Sequence, residues 1–201
     1  MNEQTMSYQQ FVRGLAGGIR NIAVAGAFWL SFGLWQGGRE LFLGALVIII
    51  ACTIVLMASA NRVQKKAQGF RYADLKQANL AQRREAKKIT IVFAVTGTTQ
   101  AVLIGLSAFV TWRFGHGELL WPLIGLIVSL HFAPLAWIFR VQPYYAVALL
   151  GTTVSLISLF SLQGSMQNLV LGLGIGAAFW LCAIYLILNT DKVAGWAVGK
   201  R

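Results

Sequence analysis

Between Val141 and Thr190 lie fifty residues without a single Asp, Glu, Lys, Arg or His. As one helix they would run roughly 75 Å, far beyond a hydrocarbon core about 30 Å thick. The stretch must turn, and Gln163, Gly164, Ser165, Met166, Gln167 and Asn168 supply the residues for it. Two membrane spans follow, at about 144–162 and 169–188. Four more apolar runs precede them, at about 21–35, 41–60, 89–112 and 119–139. With 57% hydrophobic and 11% charged residues, against about 25% charged in ordinary soluble domains, no water-soluble core could hide this surface. The expected fold is all-α: one polytopic membrane domain of six transmembrane helices, arranged as three hairpins.

Charge orients the spans. The linker 61–88 holds nine of the seventeen basic residues, Arg62, Lys65, Lys66, Arg71, Lys76, Arg83, Arg84, Lys87 and Lys88, opposed only by Asp74 and Glu85. Under the positive-inside rule this linker stays in the cytoplasm. Six spans with a cytoplasmic N-terminus then put fifteen basic residues inside, with only Arg39 and Arg113 outside. Both termini are therefore expected in the cytoplasm. Trp35, Trp112 and Trp121 fall at the outer ends, and Trp137, Tyr144, Tyr145 and Trp196 at the inner ones, as interfacial aromatics should. Trp29 and Trp180 lie deeper and read as packing residues. No small-residue cleavage site follows the first run, so an uncleaved signal anchor is expected. Its helix can start before Arg20, whose long stem snorkels to the interface.

The linker clusters cations next to apolar spans, which fits contact with anionic lipid headgroups through Arg83, Arg84, Lys87 and Lys88. Tyr72 to Lys88 can form a short helix running into the third span. Nucleic acid is not an expected partner, because the basic residues follow span ends instead of forming a separate basic face. A membrane-protein partner or a homo-oligomer remains open.

The hairpin division has a faint echo in the sequence. Glu40-Leu41 opens the second span and Arg62-Val63-Gln64 follows it, while Glu118-Leu119 opens the fourth and Arg140-Val141-Gln142 follows; both Glu-to-Arg intervals are twenty-two residues. Equal spans between turns would produce the same spacing without a duplication.

No Asp, Glu, Lys or Arg lies inside a span away from its ends. His131 is the exception among titratable bases at membrane depth, twelve residues past Leu119, roughly 18 Å along a helix. Imidazole changes charge near neutral pH. Thr96, Gln100, Ser107 and Thr111 share one face of the third span, and antiparallel packing puts His131 level with Thr96 and Gln100. This predicts a substrate-binding polar site made by His131, Gln100 and Thr96, against the plainer alternative of interhelical hydrogen bonds worth about 0.6 kcal/mol each. Pro134 removes one amide donor and leaves the Leu130 carbonyl unbonded, so a hinge is expected there.

Gly172, Gly174 and Ala177 formally match a dinucleotide-binding pattern, but inside an apolar helix a phosphate could not reach it. Gly172 and Gly176 read instead as a small-residue packing face, and so do Gly97, Ala101 and Gly105. Cys52 and Cys182 lack metal-ligand spacing and read as packing residues. No Ser-His pair, acidic dyad or metal cluster appears at membrane depth, which leans against an enzyme, and no cofactor or metal is expected.

The segment Leu130-His131-Phe132-Ala133-Pro134, with Trp137, Phe139-Arg140 and Tyr144-Tyr145 after it, resembles a motif in a family of small bacterial multi-pass membrane proteins of unknown function. Those proteins carry a His-Phe-x-Pro stretch, an aromatic-Arg pair and a Tyr. The resemblance implies a bacterial cytoplasmic (inner) membrane setting and singles out His131, Pro134 and Arg140. Two functions compete. One is a transporter-like protein handling a small solute or ion at His131; the other is a non-catalytic interaction or lipid-associated subunit.

Overall fold

The computed structural model describes residues 8–66 and 80–198, and its regular structure is entirely helical, with no strand among the described residues. The helices are α1 (Tyr8–Gly37), α2 (Arg39–Lys65), α3 (Leu80–Arg113), α4 (Leu120–Phe139), α5 (Pro143–Ser161), α6 (Gly164–Leu188) and α7 (Thr190–Val198). A 3-10 turn, Gly117–Leu119, leads into α4. Helices α1 to α6 are each long and apolar enough to cross a bilayer. The chain is a multi-pass, all-helical membrane protein.

Several ends differ from expectation. Helix α1 is already formed at Tyr8, the first described residue, and its early residues Phe11, Val12, Leu15, Ala16 and Ile19 are buried. Their three- and four-residue spacing makes one continuous stripe that packs before the first uncharged run begins. Arg20 stands within that helix and donates to Asn61 Oδ1 at 2.6 Å and to Gln64 Oε1, clasping α1 to the end of α2. The turn expected at 163–168 is shorter, because α6 starts at Gly164 and Gln167 lies buried in its first turn. The linker narrows as α2 continues to Lys65 and α3 is already formed at Leu80, the first residue described after 66. The helix expected over Tyr72 to Lys88 is present from Leu80, and its earlier part lies outside the described residues.

Turns follow local chemistry. Between α1 and α2, Gly38 adopts φ 132°, a conformation that a Cβ disfavours. Pro143 sits in the first turn of α5, where a missing amide hydrogen costs nothing. Arg140 caps α4 in the left-handed region at φ 53°, and Val141 N donates to Ala136 O at 3.1 Å.

Packing departs from a simple row of hairpins. Each sequential pair α1/α2, α3/α4 and α5/α6 is in contact, yet the most extensive interface joins α1 to α6, the first span to the last. Glycines permit that approach. A Cβ on Gly172 would lie 2.5 Å from Gly33 Cα, and one on Gly176 would lie 3.0 Å from Gly26 O. Gly172 and Gly176 thus form the expected small-residue face. The Trp180 indole crosses the same interface and donates to Ala23 O at 3.1 Å, and Trp29 is buried with its ring against Phe32 and Trp121. Helix α5 packs on α6 and on α4, and the buried core they share with α1 also takes in Leu56, Ala60 and Val63 at the end of α2 and Val193 and Ala194 of α7.

Helices α2 and α3 flank that core. α3 touches α4 and little else, and none of its most apolar stretch is buried, against half for α6. The stripe Gly97, Ala101 and Gly105 finds no packing partner among the described residues: none of these residues lies within 4 Å of a Cβ on Gly97 or Gly105, and Ala101 is exposed. The helix turns its polar face to α4, which leaves the small residues beside and outside the contact.

Helix α7 was not foreseen in the sequence. Val193 and Ala194 are fully buried under the bundle, and Asp191 pairs with Lys66 at 3.0 Å. Both partners are largely exposed, so the pair adds less than about 1 kcal/mol.

Candidate functional site

Helix α4 presents two polar residues to opposite neighbours. Ser129 and His131 are two positions apart, roughly 200° around the helix. Ser129 is fully buried against α5, where it abuts Gly151, and His131 is half-buried on the side facing α3.

The His131 imidazole faces the backbone of Thr96. The depth match expected from counting residues along two antiparallel helices is therefore present. Gln100, one turn further along α3, is half-buried and has no hydrogen-bond partner among the described residues. The hydroxyls behave differently. Thr96 Oγ1 donates to Val92 O at 2.8 Å, and Thr111 Oγ1 donates to Ser107 O at 2.8 Å, so both serve their own helix. What meets His131 is thus a main-chain group, not a ring of side chains. Pro134, one turn beyond His131, lies inside an α4 that stays helical to Phe139.

A second polar tract lies on the other side of α4 and was missed in the sequence. Ser129, Ser155 and Ser158 are buried with hydroxyls that have no partner among the described residues, and Thr152 Oγ1 and Asn168 Oδ1 are buried in the same condition. Small residues interlock there, since a Cβ on Gly125 would lie 2.9 Å from Ser155 Oγ. Gln167 closes the far end by donating from Nε2 to Ser158 O at 2.9 Å. The signal was available: Gly125 and Ser129, like Gly151 and Ser155, are four residues apart, the spacing of small-residue membrane interfaces.

Other expected site residues are placed less fully. Arg83, Arg84, Lys87 and Lys88 lie on the first turns of α3; Lys87 is exposed, and the other three side chains lie outside the described residues. Cys52 and Cys182 are free thiols on different helices. No group of three or more His, Cys, Asp or Glu side chains gathers among the described residues.

Comparison with protein-family models, curated proteins and solved structures found no match.

Proposed function

We propose that the α3–α4 seam is the working part of this protein, where a small polar solute or an ion is handled beside His131 as α3 moves against a fixed α1–α6 core. Unequal packing carries this proposal. A transmembrane helix held by one neighbour is far easier to displace than one buried on several sides. The seam it covers contains the lone mid-membrane imidazole and a Gln100 amide without a partner among the described residues, and on the residue before His131 is the Leu130 carbonyl that Pro134 leaves without its donor. Imidazole can accept or release a proton as the seam opens, and Pro134 gives α4 a hinge next to it. The setting we assign is a bacterial cytoplasmic membrane, with the basic end and both termini in the cytosol, in line with the charge asymmetry and the His-Phe-x-Pro resemblance.

The test needs no knowledge of the solute. In a background with Cys52 and Cys182 replaced by serine, Gln100→Cys is expected to react with a small hydrophilic thiol reagent several-fold faster than Val102→Cys, whose native side chain is exposed on α3. His131→Ala is expected to change proton flux through dye-loaded proteoliposomes. Equal labelling of the two cysteines together with unchanged flux would end this proposal.

A second function is favoured by one observation: the Thr96 and Thr111 hydroxyls are spent on their own helix. A seam of that kind suits a non-transporting subunit whose polar residues only join helices and whose basic linker contacts anionic lipid. Failure of both tests above would favour it.

A further inference from the structure

A concavity lies away from His131, between α5 and α6. Ala146, Val147 and Leu150 of α5 and Ala178, Leu181 and Cys182 of α6 wall a groove of about 370 Å³. Gln142 and Trp196 stand at its mouth, at the basic end of the bundle. Its size lies within the range of about 300–1,000 Å³ usual for small-molecule sites.

Depth identifies the kind of occupant. From Pro143 to Leu150 the groove climbs roughly 10 Å along α5, and Ala178 is roughly 15 Å above the end of α6. Half of the hydrocarbon core is about 15 Å. The groove therefore lies within one leaflet, walled mostly by apolar side chains with the Tyr185 phenol among them, as the upper part of an acyl chain requires.

Charge at the mouth identifies the headgroup. Lys192 Nζ lies 5.2 Å from the centroid of the Trp196 ring, and the exposed Arg140 is two residues before Gln142. The acid beside Lys192 in sequence, Asp191, is engaged by Lys66 at 3.0 Å, and Glu40 and Glu118 lie at the opposite end of the bundle. The Trp196 indole and the Gln142 amide line the opening, Lys192 stands over that indole, and Arg140 lies two residues from Gln142 in the chain, so the local charge favours an anion.

We propose that this groove is a binding site for one anionic glycerophospholipid of the leaflet on the basic side, its acyl chain between α5 and α6 and its phosphate at Lys192 and Arg140. The site is separate from the α3–α4 seam and does not depend on it. Each basic residue contributes about 1 kcal/mol near an anionic surface, so one cation gives about a five-fold preference and two about thirty-fold.

The test uses purified full-length protein in vesicles containing acyl-brominated phosphatidylglycerol or acyl-brominated phosphatidylcholine. The readout is quenching of the Trp196 emission, taken as the difference between wild type and Trp196→Phe. Phosphatidylglycerol is expected to quench at a mole fraction at least five-fold lower than phosphatidylcholine. Lys192→Gln with Arg140→Gln is expected to bring the two lipids together. Ala146→Phe, on the groove wall and away from both cations, is expected to remove the preference by filling the acyl slot. Equal quenching of the wild type by both lipids overturns the proposal. So does a preference that survives Ala146→Phe, because that would be attraction to the basic surface in general.

Discussion

Gly172→Ala adds one methyl group where the first and last spans meet, and its cost follows from the positions of three backbone atoms. The new carbon would lie 2.5 Å from Gly33 Cα, Gly33 N and Trp29 O. Ordinary carbon contacts are about 3.5–4.0 Å, so α1 and α6 must separate by about 1 Å. Overpacking of this kind costs about 1–3 kcal/mol, and the upper end applies because a backbone cannot rotate out of the way as a side chain can. Gly33→Ala is the partner experiment: its Cβ would lie 3.0 Å from Gly172 Cα, and a smaller loss is expected. Gly105→Ala is the control. It meets nothing within 4 Å, and exchanging Gly for Ala in a helix favours folding by up to about 1 kcal/mol. Reversible unfolding in mixed micelles should rank the variants Gly105→Ala, wild type, Gly33→Ala and Gly172→Ala, over a range of about 2–4 kcal/mol. If Gly172→Ala matches wild type, or Gly105→Ala is the most damaging, the α1–α6 contact is not the axis of the fold.

Two further outcomes test the polar contacts. Arg20→Met is expected to loosen the α1–α2 hairpin by about 1–2 kcal/mol, and a double-mutant cycle with Gln64→Leu should show coupling of about 1 kcal/mol; strict additivity in that cycle would dissolve the clasp. Ser129→Ala should be neutral or stabilise by up to about 1 kcal/mol, since its buried hydroxyl has no partner, and a loss of about 2 kcal/mol or more would mean the hydroxyl is bonded.

The candidate site was legible in its longitudinal coordinate. Counting along two antiparallel helices placed His131 level with Thr96, and the imidazole does face Thr96. What counting could not supply was rotation of the side-chain groups. A threonine hydroxyl in a helix can bond the carbonyl one turn back, and Thr96 does so, which removes it from the set of converging side chains. The tract Ser129, Ser155 and Ser158 escaped notice for a related reason: serine is small enough to pass as packing, and only burial reveals that its hydroxyls lack partners. Helix α7 was hidden by its length, because nine residues with Asp191 and Lys192 among them look like a tail until Val193 and Ala194 are seen under the bundle.

The number of spans and the basic character of one end were set by the chain alone. A bilayer makes those choices local: each segment must satisfy its backbone hydrogen bonds within itself and match a fixed thickness. Neighbour relations were decided only by the tertiary structure. On a soluble helix a polar face marks the outside, but here lipid-facing residues such as Val47, Ile48 and Phe109 are as apolar as the buried Leu171 and Ile175. Nothing in the pattern therefore announces that α1 seeks α6, or that the glycines of α3 stay unpartnered while those of α6 close the core.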